Sequence, residues 1–164
     1  MSSLYRKHQF LIPDGLIYLD GNSLGPMPVR AKQAMDRVQN DWSQLLIKGW
    51  NQAGWYRQPA VLGDKLAPLI GAELGSVMIG DTLSIKISQA LDAALSLRPD
   101  RKLILSDTGN FPTDLYMAQS LIEAKGQGHS LKLVEPDQVM DALDDQVAVL
   151  MLTQVDYRSS RMHD

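Results

Sequence analysis

The sequence predicts an α/β fold, in which helices pack against a parallel sheet. From residue 77 onwards, short apolar runs of strand length alternate with segments of helical periodicity. Parallel strands need crossover connections, and the intervening helices would supply them. A length of 164 residues suits one medium domain, and 45% hydrophobic residues provide enough apolar material for a core.

The N-terminal part of the chain is predicted to be an arm followed by one strand and two helices. A loop rich in glycine, at residues 20–26, and an aromatic loop, at residues 49–55, separate these elements. Gly49 is expected to end the first helix. The predicted ranges are residues 1–13 for the arm, 16–19 for the strand, and 29–48 and 58–70 for the helices.

The rest of the chain is predicted to contain four strands, the first of them short and buried, and three helices. Parallel pairing would bring the loops that follow the strands to one edge of the sheet, where α/β proteins bind their ligands. The predicted strands are residues 77–79, 102–105, 130–134 and 147–152, and the predicted helices are residues 84–97, 112–124 and 136–143.

The composition excludes several classes of protein. A formal net charge of −3 argues against a general nucleic-acid-binding surface. The apolar runs are shorter than a membrane span, and the first ten residues lack a secretion signal. The absence of cysteine removes disulfides, thiolate catalysis and Cys-type zinc sites, and three separated histidines do not suggest a metal site. We therefore expect a cytoplasmic protein with no nucleic-acid or membrane partner.

The segment at residues 80–84 is predicted to bind an anion. It would leave the strand at residues 77–79 and open a helix, where free backbone N–H groups and the helix dipole favour negative charge. The hydroxyl of Ser84 adds a hydrogen-bond donor, and phosphate would be the natural ligand. The alternative is that Asp81, Thr82 or Ser84 simply caps the helix.

Two later loops carry groups suited to a flat ligand. In the first, Phe111 offers an aromatic face and Asp114 a carboxylate. The alternative is that Phe111 fills the core and Asp114 complements the helix dipole. The second loop, residues 153–161, is rich in hydrogen-bonding groups, unless it is only a solvated loop. Three polar loops at one sheet edge favour pyridoxal phosphate or a nucleotide, and the sequence contains neither a dinucleotide-binding nor a P-loop glycine pattern.

Three motifs resemble those of bacterial kynureninases. They are YLDGNSLG at residues 18–25, FPTDLY at residues 111–116 and RMHD at residues 161–164. The similarity runs along essentially the whole chain. It implies a fold-type-I pyridoxal-phosphate domain, related in fold to aspartate aminotransferase and homodimeric in complete members. The chain would be an incomplete, N-terminal portion: residues 1–57 would form an N-terminal helical arm, and residues 58–164 the first part of the large cofactor-binding domain.

The resemblance also implies an activity, which is the hydrolysis of L-kynurenine to anthranilate and L-alanine. This reaction lies on the route from tryptophan to its degradation products or to NAD, and the substrate would be kynurenine or 3-hydroxykynurenine. The resemblance implies that Leu83 and Ser84 contact the phosphate of pyridoxal 5'-phosphate. The other roles implied are stacking on the cofactor ring by Phe111, further cofactor contacts by Asp114 and Thr153, and lining of the substrate side by Asn22, Ser23 and Trp50.

The same resemblance implies that this chain contains no catalytic residue. The Schiff-base lysine and the carboxylate that pairs with the pyridine nitrogen would lie beyond residue 164, so the chain alone would be inactive. It also departs from the family at a few positions: Lys86 stands where Asn is usual, Gln154 where His is usual, Asp156 where Asn is common, and Ser159-Ser160 where Thr-Gly is usual. His163 is interpreted as the end of a loop.

Two other functions are compatible with the same loops. One is that of another fold-type-I pyridoxal-phosphate enzyme, such as a cysteine desulfurase relative, although the loop with Asn22 and Ser23 and the residue Trp50 argue against it. The other is that of a non-catalytic remnant that binds a phosphorylated ligand. An added ligand would raise the melting temperature of such a protein without turnover.

Overall fold

A computed structural model describes residues 6–163 of the chain, so most of the predicted arm is described and Asp164 of the last motif is not. The described residues form two compact units, which divide between Ile79 and Gly80. The helices of the first unit are α1 (Val29–Leu45), α2 (Gly49–Gln52) and α3 (Gln58–Leu66). The second unit contains, in chain order, α4 (Leu83–Ser96), β1 (Leu103–Asp107), α5 (Pro112–Lys125), β2 (Ser130–Val134), α6 (Val139–Ala142) and β3 (Val147–Leu150).

The two long helices predicted for the first unit are present, and each is extended by a 3-10 turn (Leu46–Lys48 and Ala67–Leu69). The prediction that Gly49 ends the first helix is wrong. Helix α1 ends instead before Leu46, whose φ of +49° no right-handed helix allows. Gly49 begins α2 with helical backbone angles. A side chain at Gly49 would collide with the indole ring of Trp55, so glycine serves packing here rather than helix termination. The aromatic loop predicted at residues 49–55 is consequently partly helical.

Two predicted strands are wrong, since residues 16–19 and residues 77–79 are irregular. Ile17 and Met78 are largely exposed, so neither run is buried among strands. The backbone of the second run packs on α3 instead: the amide of Ile79 donates a hydrogen bond to the carbonyl oxygen of Pro59 at 3.2 Å. A side chain at Gly63 would overlap the carbonyl oxygen of Val77, so only glycine permits this close approach.

The second unit confirms the prediction of an α/β fold with parallel strands. Its sheet has three strands in the order β2-β1-β3, and both pairings are parallel. Leu91 and Leu95 of α4 pack with Ile104 of β1 and Ala118 of α5 to form the core. The strand predicted at residues 130–134 matches β2 in full, and the other two strands differ from their predicted ranges by a few residues at their ends.

The order of the elements determines which ends of the helices lie at the carboxyl edge of the sheet. Helix α4 packs against α5 and β3, and a short turn reverses the chain into β1. Helix α5 then begins directly after β1 and returns towards the opposite edge, as a parallel crossover requires. The first turns of α4 and α5 therefore lie at the edge where the strands have their carboxyl ends. Among the described residues, no helix combines the length and the apolar character that crossing a bilayer requires.

Candidate cofactor site

A polar cavity of about 160 Å³ lies at the carboxyl edge of the sheet. The carboxyl ends of all three strands and the loops after them contribute to it: residues 107–110 at the end of β1, Glu135 and Pro136 after β2, and Thr153 with several residues up to His163 after β3. This is the place where open parallel sheets bind ligands. The cavity is formed entirely by the second unit.

Asn110 is buried at the centre of this edge and makes four hydrogen bonds with its side chain. Its Nδ2 group donates to Ser106 Oγ at 3.0 Å and to the carbonyl oxygen of Met151 at 3.3 Å. Its Oδ1 atom accepts from the amide of Phe111 at 2.7 Å and from Thr153 Oγ1 at 2.6 Å. The end of β1, the segment that leads into α5 and the loop after β3 are thereby joined through one side chain that is 4% exposed.

Asp107, the last residue of β1, holds both its own loop and the far end of the loop after β3. One carboxylate oxygen accepts a hydrogen bond from the amide of Gly109 at 2.7 Å, and the other lies 3.1 Å from Nε2 of His163. The interpretation of His163 as a mere loop end is therefore wrong. It returns to the sheet because its amide donates to the carbonyl oxygen of Gln154 at 3.0 Å, which closes residues 154–163 into a hairpin-like loop.

Asp156 organises the tip of this loop. Its Oδ1 atom accepts hydrogen bonds from the amides of Arg158 and Ser159 at 2.8 and 2.7 Å and from the Ser159 hydroxyl at 3.0 Å. These backbone N–H groups, that of Ser159 foremost, hold the pKa of the Asp156 carboxyl well below its usual range. Ser160 follows in the left-handed region, with φ of +60°. The loop is thus an ordered structure around an ionised carboxylate.

Phe111 and Asp114 open α5 at the same edge. The Phe111 ring is 44% exposed, so the alternative that it fills the core is wrong, and the ring of Tyr157 packs against it edge-on with the centroids 5.0 Å apart. Asp114 lies in the first turn of α5 and is 7% exposed. Burial raises the pKa of its carboxyl above the usual value. Within residues 6–163, its side chain has no hydrogen-bond partner.

Leu83 and Ser84 begin α4. The prediction that the loop before them leaves a strand is wrong, because no strand precedes it among the described residues. Thr82 occupies the N-cap position, and its side chain makes no capping hydrogen bond. The capping alternative is therefore not seen at Thr82, and a helix N-terminus without a side-chain cap is suited to an anion. Lys86 lies beside Gly80, with its ammonium group 3.9 Å from a carboxylate oxygen of Asp81.

Asn22, Ser23 and Trp50 belong to the first unit. The two polar residues lie in an exposed turn, which the hydroxyl of Tyr18 closes by donating to the carbonyl oxygen of Leu24 at 2.5 Å. Trp50 in α2 is half exposed and contacts the ring of Tyr56, with the centroids 6.2 Å apart. Their predicted role on the substrate side stays a prediction.

The structure adds four residues that sequence reasoning did not assign to the site: Asp107, Asn110, Asp156 and His163. One local signal for the first two existed, because both are polar residues that follow the strand predicted at residues 102–105. The role of His163 had no such signal, because its partner lies 56 residues earlier in the chain. Of the predicted cofactor residues, Thr153 lines the cavity, and hydrogen bonds connect Phe111 to it through Asn110.

A parallel α/β unit with a polar recess at the carboxyl edge of its sheet has the architecture of a ligand-binding domain. Sequence comparison identifies the relatives as kynureninases, which confirms the resemblance inferred from the motifs. The chain is 48% identical over 164 residues to kynureninase of Burkholderia pseudomallei strain 1106a. It is 47% identical to the Burkholderia mallei strain SAVP1 enzyme and 45% identical to the Pseudomonas fluorescens enzyme over the same length.

These similarities cover nearly all of this chain but less than half of each relative. Each alignment takes in 96% of the chain and 39% of the relative's length. No protein-family model matches the chain.

Proposed function

We propose that the chain is the N-terminal portion of a kynureninase, a pyridoxal-phosphate-dependent hydrolase of carbon–carbon bonds in ketonic substrates. The substrate is L-kynurenine or 3-hydroxykynurenine, and the products from L-kynurenine are anthranilate and L-alanine, in tryptophan degradation or NAD biosynthesis. The observation that carries the proposal is that Asn110 ties Phe111 and Thr153 together at the carboxyl edge of the sheet. The resemblance assigns cofactor contacts to both of these residues.

The residues present fit pyridoxal phosphate. Phe111 presents a half-exposed ring whose orientation is maintained by Tyr157, which suits stacking on a pyridine ring. Asp114 is a buried carboxylate without a hydrogen-bond partner among the described residues, and a polar or cationic ligand group would supply one. The first turn of α4 offers backbone N–H groups for a phosphate.

The mechanism assigns binding and orientation to this chain. Leu83 and Ser84 would hold the phosphate through the start of α4, Phe111 would stack on the ring, and Asp114 and Thr153 would bind polar groups of the cofactor. When bound, the cofactor withdraws electrons from the α-carbon of the substrate. Asn22, Ser23 and Trp50 contribute to the substrate side. The resemblance implies that the Schiff-base lysine lies outside these 164 residues, so we propose that this chain contributes to cofactor binding and that hydrolysis of kynurenine needs the longer protein.

The proposal includes a homodimeric, fold-type-I protein in the cytoplasm. The exposed apolar side chains of α1 support the dimer, because this helix buries none of its residues. Met35 and Trp42 are both more than half exposed, and Val38 is also exposed. An apolar helix face of this kind normally contacts another surface.

The test compares the 164-residue chain with the product of the complete reading frame, both supplied with pyridoxal phosphate. Formation of anthranilate from L-kynurenine, followed by its fluorescence, is expected for the longer product and not for the chain. Parallel assays with 3-hydroxykynurenine and L-cysteine separate substrate preference from a desulfurase-type activity. A complete product that binds the cofactor but releases no anthranilate or 3-hydroxyanthranilate would overturn the proposal and favour another fold-type-I enzyme or a binding remnant.

A further inference from the structure

The orientation of the Asn110 side-chain amide is determined by two groups that cannot change their hydrogen-bonding role. The amide of Phe111 can only donate, so the atom that faces it at 2.7 Å must be the acceptor, Oδ1. The carbonyl oxygen of Met151 can only accept, so the atom at 3.3 Å from it must be the donor, Nδ2. A flipped amide would place donor against donor and acceptor against acceptor.

This orientation determines the direction of the hydrogen bond to Thr153. The Oδ1 atom has no proton, so the 2.6 Å contact requires that the Thr153 hydroxyl donate. A threonine hydroxyl has one proton, and Thr153 uses it on Asn110. To a ligand in the cavity that Thr153 lines, its hydroxyl therefore offers only lone pairs.

We propose that Asn110 is a positioning residue that presents the Thr153 hydroxyl to the cavity as a hydrogen-bond acceptor. A ligand group that contacts Thr153 must then donate, as a pyridinium N–H or a hydroxyl does. A dianionic phosphate oxygen offers no proton, so it does not bind at Thr153. This inference rests on the proposed function, since it specifies how the pyridoxal-phosphate ring, rather than its phosphate, is recognised at this loop.

The first test needs no ligand and measures the coupling between the two side chains. Unfolding equilibria in urea are compared for Asn110→Ala, Thr153→Val and the double variant, with Thr153→Ser as the control that keeps the hydroxyl. Each substitution lowers the folding equilibrium constant by some factor. If the hydrogen bond exists, the factor for the double variant is smaller than the product of the two single-variant factors by about 3- to 10-fold. Losses that multiply independently would overturn the inference. If Asn110→Ala does not fold, Asn110→Leu replaces it, since it has a similar volume and also removes the acceptor for Thr153.

The second test uses pyridoxal phosphate and two analogues, each lacking one ring donor: the 3-deoxy analogue without the ring hydroxyl and the 1-deaza analogue without the ring nitrogen. Thr153→Val is expected to weaken pyridoxal-phosphate binding about 3- to 10-fold, and Thr153→Ser less than about 2-fold. With the analogue that lacks the donor facing Thr153, the wild-type chain and Thr153→Val are expected to bind equally. A purely structural role of Thr153 would weaken all three ligands by the same factor, and that result would overturn the inference.

The two tests also separate this inference from the proposed function. Absence of pyridoxal-phosphate binding by the wild-type chain would overturn the proposed function, and with it the ligand half of the inference. The urea experiment would still decide whether Asn110 directs the Thr153 hydroxyl. Binding that is insensitive to Thr153→Val would leave the cofactor assignment in place and overturn the inference alone.

Discussion

The carboxylate of Asp107 and the imidazole of His163 lie 3.1 Å apart and connect the end of β1 to the far end of the loop after β3. Asp107 is 3% exposed, and its second oxygen accepts the amide proton of Gly109. Two loops that line the cavity thus depend on one buried carboxylate. Because such a group is costly to bury without partners, we expect this pair to be important for the order of the site.

Substitution Asp107→Ala is expected to lower the free energy of unfolding by about 1–3 kcal/mol, since it leaves the Gly109 amide and the His163 ring without their partner. Urea denaturation measures the loss, and amide hydrogen exchange is expected to increase in residues 154–163. The exposed Asp145 provides the matched control, with a change within about 0.5 kcal/mol for Asp145→Ala. Equal effects of the two substitutions would contradict the role given to Asp107.

Substitution Ser160→Gly is expected to stabilise the chain. Ser160 has φ of +60°, a conformation that favours glycine, and the resembled family usually has glycine at this position. The free energy gained by relieving this strain exceeds the entropic cost of a more flexible unfolded chain. We therefore expect the free energy of unfolding to rise by a few tenths to about 1 kcal/mol in thermal or urea unfolding. The neighbouring Ser159→Gly is expected to destabilise, because it removes the hydroxyl that donates to Asp156. A loss of stability in Ser160→Gly would show that the serine is not strained.

His129 is expected to make stability depend on pH. Burial lowers the pKa of its imidazole, and the nearby charges of Lys102 and Lys125 lower it further. The unfolded chain, in which a histidine titrates near pH 6.5, then binds the proton more readily. The contribution of His129 to the free energy of unfolding is therefore fully present above about pH 6.5, and it decreases as the pH falls towards the pKa of the folded state.

Unfolding free energies measured between pH 7 and pH 5 test this expectation. His129→Gln is expected to flatten the decrease, and Lys102→Gln to reduce it by removing one repelling charge. An unchanged pH profile in His129→Gln would assign the decrease to other groups.

Substitution Asp114→Asn is expected to stabilise the ligand-free chain slightly at pH 7 and to weaken its binding of pyridoxal phosphate. Burial raises the pKa of this carboxyl, so its contribution to stability is full below about pH 3.8 and is lost as the pH rises through the folded-state pKa. A neutral amide removes this penalty, and we expect a gain below about 1 kcal/mol, because the carboxylate also benefits from the helix dipole. Lower stability of the ligand-free variant at pH 7 would show that the carboxylate serves the fold rather than a ligand.

The elements of the second unit could be predicted from the sequence because each follows from local pattern. Helix α5 begins at Pro112 and is followed by Gly126 in the left-handed conformation, which are the expected start and stop residues. Strand β2 was predicted with its full range. By contrast, the apolar run at residues 77–79 has the composition of a strand but packs on α3 through its backbone. Composition does not reveal whether a partner strand is available.

The candidate site was predictable only in part, for a related reason. The chemistry of Phe111 and Thr153 could be inferred from residue types in loops that follow strands. Asn110 connects them, and its hydrogen bond to Thr153 joins residues that are 43 positions apart in the sequence. The contact between Asp107 and His163 joins residues that are 56 positions apart. Contacts over such distances depend on strand order and register, which local patterns do not determine.

The central claim is that the carboxyl edge of this sheet binds pyridoxal phosphate. Titration of the chain with pyridoxal phosphate, monitored by amide hydrogen exchange, tests it most directly. Saturable protection is expected in residues 83–86, 108–115 and 153–163, and it should weaken in Thr153→Val. Absence of protection in these three segments at saturating ligand, or protection confined to the first unit, would contradict the claim.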